Sequence, residues 1–278
     1  MLPLGNAQTR GHIADMDAMD VFDRAAVRRH RDRAAATVGR VADVLRDAAE
    51  RLLDRLDDTT MRFSRALDVG GRGVVAPLLR ARGIDVVSSD LSPAMAVLHD
   101  GLRVAADEEF LPFAPGSFDL IVANLSLHWV NDLPGALIQL RHALRPNGLL
   151  LASLPALGTL DELRRALTEA EAALTGGAAP RVSPFPDLRD CAGLLQRAGY
   201  ALPVADAEVI RLRYADPLAL LRDLRAAGET NAVRLRDRRI PRRELFAAAL
   251  AMLPVEDGRV TATLRMVVMT GWAPAAQP

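Results

Sequence analysis

The chain has 278 residues, half of them apolar and only 4% aromatic, so one large domain is packed from Leu, Val and Ala. Its 35 basic and 35 acidic residues cancel, which excludes a bulk field drawing it to nucleic acid or to a membrane surface. Every basic residue is arginine, which excludes lysine Schiff-base chemistry, and the single cysteine, Cys191, excludes an intramolecular disulfide and a cysteine-based metal cluster. No apolar run reaches the ~18 residues of a membrane span. The N-terminus lacks the apolar core of a signal peptide, and Asp15, Asp17 and Asp20 do not suit a transit peptide. The expected location is therefore the cytoplasm, most simply of a bacterium.

Met1 to Met19 has no clear period. Val21 to Leu56 reads as one helix, with Val41, Val44, Leu45, Ala48 and Leu52 at helical spacing. Its first half carries Arg24, Arg28, Arg29, His30, Arg31 and Arg33, a solvated face or a docking surface for an acidic partner. Residues 1–57 are expected to form an N-terminal helical extension and residues 58–278 the main domain.

From Arg65 strands and helices alternate. Strand Ala66–Val69 leads through glycines to a helix over Val74–Arg82. Strand Asp85–Ser89 ends at Asp90, and Ser92 and Pro93 open a short helix. Strands follow at Leu102–Ala105 and, after a Pro115-Gly-Ser117 turn, at Phe118–Ala123. Asp132 caps a helix to Leu144; Arg145-Pro-Asn-Gly148 is a turn and Leu149–Ser153 the fifth strand. Helices follow at Thr159–Leu174 and Asp187–Tyr200, the second packing Cys191 beside Leu194 and Leu195. Glu208–Tyr214 and Val260–Trp272 read as strands, with helices Pro217–Ala227 and Arg242–Leu253 between them. The 216–257 segment is thus expected as a helical cap over the site, in which Arg234, Arg236, Arg238, Arg239, Arg242 and Arg243 either clamp an anionic substrate or form a solvated loop. The alternation predicts an α/β fold, a Rossmann-like, doubly wound parallel sheet with helices on both faces.

In such a sheet ligands bind beyond the C-terminal strand ends. The Gly70-Gly71-Arg72-Gly73 turn lets a ligand approach the backbone. Asp68 before it favours a sulfonium or ammonium ligand over a phosphate, pointing to S-adenosylmethionine. Asp90, 22 residues on, is placed for ribose hydroxyls, with Leu91 beside it. Asp107 and Glu108 follow the third strand, where Asp107 can accept from an adenine amino group between Phe110 and Leu111. Asn124 opens the segment beneath the methionine part. His128 is the candidate general base, and Trp129 a lid or a face for a guanidinium. No metal site is expected: His30-Arg-Asp32 has an H-x-D spacing, but on a helix residues two apart do not share a face.

These features resemble the class I S-adenosylmethionine-dependent methyltransferases, in the group related to malonyl-carrier-protein methyltransferase. The fuller resemblance is to the complex I assembly factor 5 family. It is carried by Val21-Phe-Asp-Arg24, Ala106-Asp-Glu-Glu-Phe-Leu-Pro-Phe113, Leu125-Ser-Leu-His-Trp-Val-Asn-Asp-Leu-Pro134, Gly158-Thr-Leu-Asp-Glu-Leu-Arg164, Ser183-Pro-Phe185, Gly228-Glu-Thr-Asn231 and Thr270-Gly-Trp272. The resemblance implies a seven-strand sheet with an antiparallel last strand and cofactor contacts at Asp68, Gly70, Asp90 and Asp107. It also implies a role in respiratory complex I maturation, where a family member is regarded as an arginine hydroxylase. One departure stands out: Asp68-Val-Gly-Gly-Arg-Gly73 is one residue shorter than the family's D-x-G-x-G-x-G.

Three functions follow as expectations: modification of an arginine on a complex I subunit, with Glu229 and Asn231 as substrate contacts; methyl transfer to a small acid or a carrier-bound acyl group; and a non-catalytic assembly chaperone.

Overall fold

The computed structural model describes residues 20–276; the reading of Met1 to Met19 lies outside them. The strands are β1 (Arg65–Val69), β2 (Asp85–Asp90), β3 (Arg103–Ala105), β4 (Phe118–Asn124), β5 (Leu144–Pro155), β6 (Ala201–Tyr214), β7 (Val255–Glu256) and β8 (Arg259–Trp272). Their order is β3-β2-β1-β4-β5-β8-β6, with the two-residue β7 paired to β8. β1 to β5 pair in parallel, whereas β8 runs antiparallel between β5 and β6. The doubly wound sheet with an antiparallel last strand is thus present.

Alternation along the strands builds two apolar layers. Leu120 and Val122 of β4, with Leu149 and Leu151 of β5, face one core, which also takes Leu45, Ala48 and Leu52 of α2 (Ala42–Leu53) and Leu79 of α3 (Val75–Ala81). Ile121, Ala123, Leu150 and Ala152 face the other, against Leu137 and Leu140 of α5 (Leu133–Ala143) and Cys191 and Leu195 of α7 (Leu188–Arg197). A short helix α4 (Pro93–Ala96), capped by Ser92, follows β2.

One expectation is corrected by the N-terminal segment. The single helix over Val21–Leu56 is broken: α1 (Arg24–Ala34) ends where the Thr37 hydroxyl donates to the Ala34 carbonyl, and a 3-10 turn at Val38–Val41 leads into α2. A side chain that bonds the preceding turn competes with helix continuation. Ala34, Val38 and Val41 of this N-terminal segment join the same core as the sheet.

β5 begins earlier than expected. The Arg145–Gly148 turn sits inside it as an irregularity, with Asn147 at φ +61° and a register shift between Phe118 and Leu120 of β4. β6 and β8 are each 14 residues long. β5 stops at Pro155, opposite Met266, while β6 and β8 continue together to the Tyr214–Val260 pair. This overhang extends past the C-terminal ends of the parallel strands. On it pack α6 (Asp161–Thr175), α8 (Pro217–Ala226) and α9 (Arg243–Ala251), sharing a third core of Leu163, Leu167, Leu220, Leu245 and Val260.

Candidate functional site

The glycine turn after β1 is tight. Gly70, Arg72 and Gly73 all lie at positive φ, and the Gly70 amide donates to the Ser89 carbonyl of β2 at 2.7 Å. A left-handed arginine is a strained choice, and its side chain shows what holds it. Arg72 is buried; it donates to Glu229 Oε1 at 3.0 Å and also to the Leu125 carbonyl.

Asp68, expected as a cofactor contact, is fully buried at the end of β1. Its carboxylate is tucked under the turn, where a Cβ on Gly71 would collide with it, and neither oxygen has a hydrogen-bond partner. Burial first, and then the nearby Asp90 carboxylate, pushes its pKa up to about 8. The buried His99 has its Nδ1 3.7 Å away, and burial lowers its pKa to about 4.

The remaining expected cofactor carboxylates gather at the strand ends, but the chain's own arginines already hold them. Arg31 Nη1 lies 2.9 Å from Glu108 Oε1 and 3.5 Å from Asp90 Oδ1, and Nη2 donates to the Ser126 carbonyl. Arg24 reaches both Asp107 and Glu108. Burial alone would raise Glu108, yet Arg31 and Arg24 outweigh it and hold Glu108 below its usual range. Asp90 is raised, chiefly by burial, and its Oδ2 keeps no partner. Arg31 Nη1 also lies 3.3 Å from where a Gly70 Cβ would stand.

The expectation of an outward basic face on the first helix is therefore corrected for Arg24 and Arg31. The periodicity of a charged helix cannot show that two of its arginines meet carboxylates from other strands. Phe110, expected to wall an adenine, is 77% exposed. Leu91 packs against the apolar cluster that includes Phe22 and Trp129, and the Asn124 side-chain amide donates to the Leu45 carbonyl of α2 and accepts from the Ser153 hydroxyl of β5.

His128 and Trp129 sit on a 3-10 turn after β4. Both reach Glu229: His128 Nε2 at 2.6 Å and Trp129 Nε1 at 2.7 Å, each on Oε2. The Gly-ended α8 delivers that carboxylate. Gly228 (φ +80°) bonds the Arg225 carbonyl and Glu229 the Leu224 carbonyl, a Schellman cap that turns Glu229 inward. Burial is the largest effect on Glu229, but His128 and Arg72, with Arg31 behind them, overcome it and hold the group far below the carboxylate range.

Glu229, expected as a substrate contact, thus takes donors from three residues of its own chain and lines the cavity. Asn231 is also committed, donating to the Pro180 carbonyl and accepting from Val233. The arginine clamp is corrected likewise: Arg234 pairs with Asp20, Arg236 and Arg238 with Asp23, and Arg239 with Asp237. Trp129, expected as a lid or a face for a guanidinium, is buried edge-on against Phe22, ring centroids 5.2 Å apart, and lines the cavity. The sequence reading missed Arg31 and Arg72 as site residues. The left-handed-prone turn holding a long side chain was the available signal for Arg72.

His128 Nδ1 is buried with no partner. With Nε2–H donating to Glu229, Nδ1 carries the free lone pair. The cluster forms the inner end of a cavity of about 660 Å³ beneath α8 and α9. Among the described residues no group of three or more His, Cys, Asp or Glu could hold a metal, and no helix is long and apolar enough to cross a membrane.

Comparison with known proteins agrees with the architecture. Residues 29–203 match the sequence profile of the family described as "Methyltransferase domain". The chain is 36% identical to "Arginine-hydroxylase NDUFAF5, mitochondrial" of Danio rerio over 97% of its length and 88% of that protein's, and 37% identical to the Homo sapiens protein over 91% and 77%. It is 38% identical to "Malonyl-[acyl-carrier protein] O-methyltransferase" of Laribacter hongkongensis over 92% of this chain and 91% of that one. The crystal structure of the YcgJ protein of Bacillus subtilis superposes with a TM-score of 0.55 at 13% identity, over 82% of this chain and 99% of that one, a likeness of fold alone. Animal relatives named as mitochondrial overturn the expectation of a bacterial cytoplasmic protein. The chain belongs to the methyltransferase-domain family, as an enzyme of that family whose cofactor is S-adenosylmethionine.

Proposed function

We propose that this protein uses S-adenosylmethionine in a reaction on a protein substrate during respiratory complex I assembly, with His128 as the group that accepts a proton. The observation that carries the catalytic reading is the orientation of His128. Its Nε2 is fixed 2.6 Å from Glu229, which leaves Nδ1 as the ring nitrogen without a partner in the chain, on a residue that lines the cavity. The relatives named arginine-hydroxylase support the substrate class.

The residues fit the cofactor in kind. Asp90 offers a buried, unpartnered oxygen at the end of β2, where ribose hydroxyls would be received, and the glycine turn leaves backbone bare beside it. Asp107 and Glu108 would stand near the adenosine. When bound, the cofactor supplies an activated methyl group on a sulfonium. Arg31, now lying between Gly70 and Asp90, is the side chain that gives way. Glu229 orients His128 and holds Arg72, and Trp129 closes the back of the cluster to water.

A second reading, O-methylation of a malonyl group on a carrier protein, is supported by the relatives of that name, which match an equal share of the chain. One experiment separates the two. The enzyme is incubated with cofactor and either a complex I subunit or malonyl-carrier protein, and the products are weighed by mass spectrometry. Modified subunit lost in His128→Gln supports the first reading. A methyl ester on the carrier alone replaces it with the second, and a modified subunit undiminished in His128→Gln removes the role given to His128.

A further inference from the structure

The cavity beneath α8 and α9 is larger than His128 chemistry requires. Its volume of about 660 Å³ lies within the ~300–1,000 Å³ of small-molecule sites. Leu160, Leu212, Leu221, Leu224, Phe246 and Leu264 line it, all only half-buried although they sit beside a closed core. Several polar groups on the walls are already committed within the chain. Thr159 donates to the Arg265 carbonyl at 2.7 Å, Arg181 pairs with Glu171, and Asp223 pairs with Arg40. The remaining wall is aliphatic and offers few hydrogen-bond partners, and a polar group buried against it without one is costly. An aliphatic chain needs none.

A second recess of about 580 Å³ adjoins the first, and the two share His30, Arg225 and Thr230. Its walls carry His30, Arg33, Arg40, Arg222 and Arg225, from α1, the turn after it and α8, and no carboxylate. Arg40 and Arg222 answer Asp223 and Asp216. Arg33 and Arg225 enter no ion pair among the described residues; Arg33 spends one N–H on the Arg29 carbonyl.

We propose that the joined recesses bind an anionic amphiphile, with its aliphatic chain in the leucine-lined cavity and its phosphate or carboxylate head among Arg33, Arg40, Arg222 and Arg225. The chain would run toward His128 from a head held at the N-terminal helix. This goes beyond the proposed reaction and is read without cofactor, so failure of cofactor binding leaves its test intact.

The test is calorimetric titration of the full-length protein with dodecyl phosphate below its micelle-forming concentration, compared with hexyl phosphate, inorganic phosphate and neutral dodecyl maltoside. Affinity should rise by up to about fourfold per methylene. The double variant Arg33→Ala/Arg225→Ala, altered only at exposed positions, should bind dodecyl phosphate at least about tenfold more weakly, with a flatter salt dependence. Leu224→Glu should remove the dependence on chain length while its melting curve shows a folded protein. Affinity independent of chain length, equal binding by the neutral detergent, or undiminished binding in the double variant would each overturn the proposal. So would adsorption to phosphatidylglycerol vesicles without monomer binding, which would identify a membrane surface instead of a chain-binding site.

Discussion

Arg31 Nη1 lies 3.5 Å from Asp90 Oδ1 and 2.9 Å from Glu108, with all three groups shut off from water. One helical arginine thus neutralises two strand-end carboxylates that would otherwise repel each other in a low dielectric. Removing one member of a buried ionic set costs ~3–5 kcal/mol, because the partners stay buried without compensation. Arg31→Met should therefore lower unfolding free energy by that order in urea titrations. Glu108→Gln in the Arg31→Met background should cost less than in the wild type, since Glu108 has then lost one of its two arginine partners and keeps only Arg24.

Glu229 has the corresponding place at the cavity's inner end. Glu229→Gln keeps the shape but removes the charge that faces Arg72 and His128. We expect a stability loss of ~1–3 kcal/mol and a change in Trp129 fluorescence. Gly228→Ala should act on the same contact from a distance. Its φ of +80° disfavours a side chain, and a Cβ would stand 3.4 Å from Arg31. A loss of ~1–2 kcal/mol follows, together with the same fluorescence change.

The buried Asp68 predicts how stability varies with pH. Its pKa is raised to about 8 in the fold from an ordinary 3.8, so between those values the unfolded chain releases a proton that the folded chain keeps. Stability from this group is complete below about pH 4 and falls as pH rises toward 8. His99, lowered to about 4, acts oppositely, losing stability as pH falls from 6.5 toward 4. Between pH 6.5 and 8 only Asp68 of this pair contributes a slope. Thermal melts should show a declining midpoint over that window, and Asp68→Asn should flatten it. A slope unchanged in the variant would contradict the assignment.

Cys191 offers a reporter of global opening. It is fully buried between Leu194, Leu195 and the sheet, and burial pushes its thiol up to about 11. Disulfide reagents should modify it only at the rate of unfolding. Rapid labelling of the folded protein would contradict its placement.

The fold was legible because β4 and β5 are continuous apolar runs whose alternate residues feed two different cores. Ser92, Asp132 and Asp187 cap the helices that the sequence marks for them. The site was legible as a set of strand ends, not as a set of contacts. Asp90, Asp107 and Glu108 do converge, but their partners Arg24 and Arg31 lie far upstream in the chain, on a helix whose charges read as solvated. Glu229 was expected to receive a foreign guanidinium; it receives that of Arg72, placed by a strained turn that periodicity cannot show. The overhang of β6 and β8, which creates the cavity, depends on register and so escaped a reading of single segments.

The central claim is that these strand ends receive S-adenosylmethionine at Asp90, with Arg31 giving way. Its most direct test is calorimetric titration of the cofactor into the folded wild-type protein and into Asp90→Ala. The account predicts saturable one-to-one binding to the wild type, weakened at least about tenfold in the variant as its hydrogen bonds to a charged group are lost. Absence of binding by the folded wild type, or equal binding by Asp90→Ala, would contradict it.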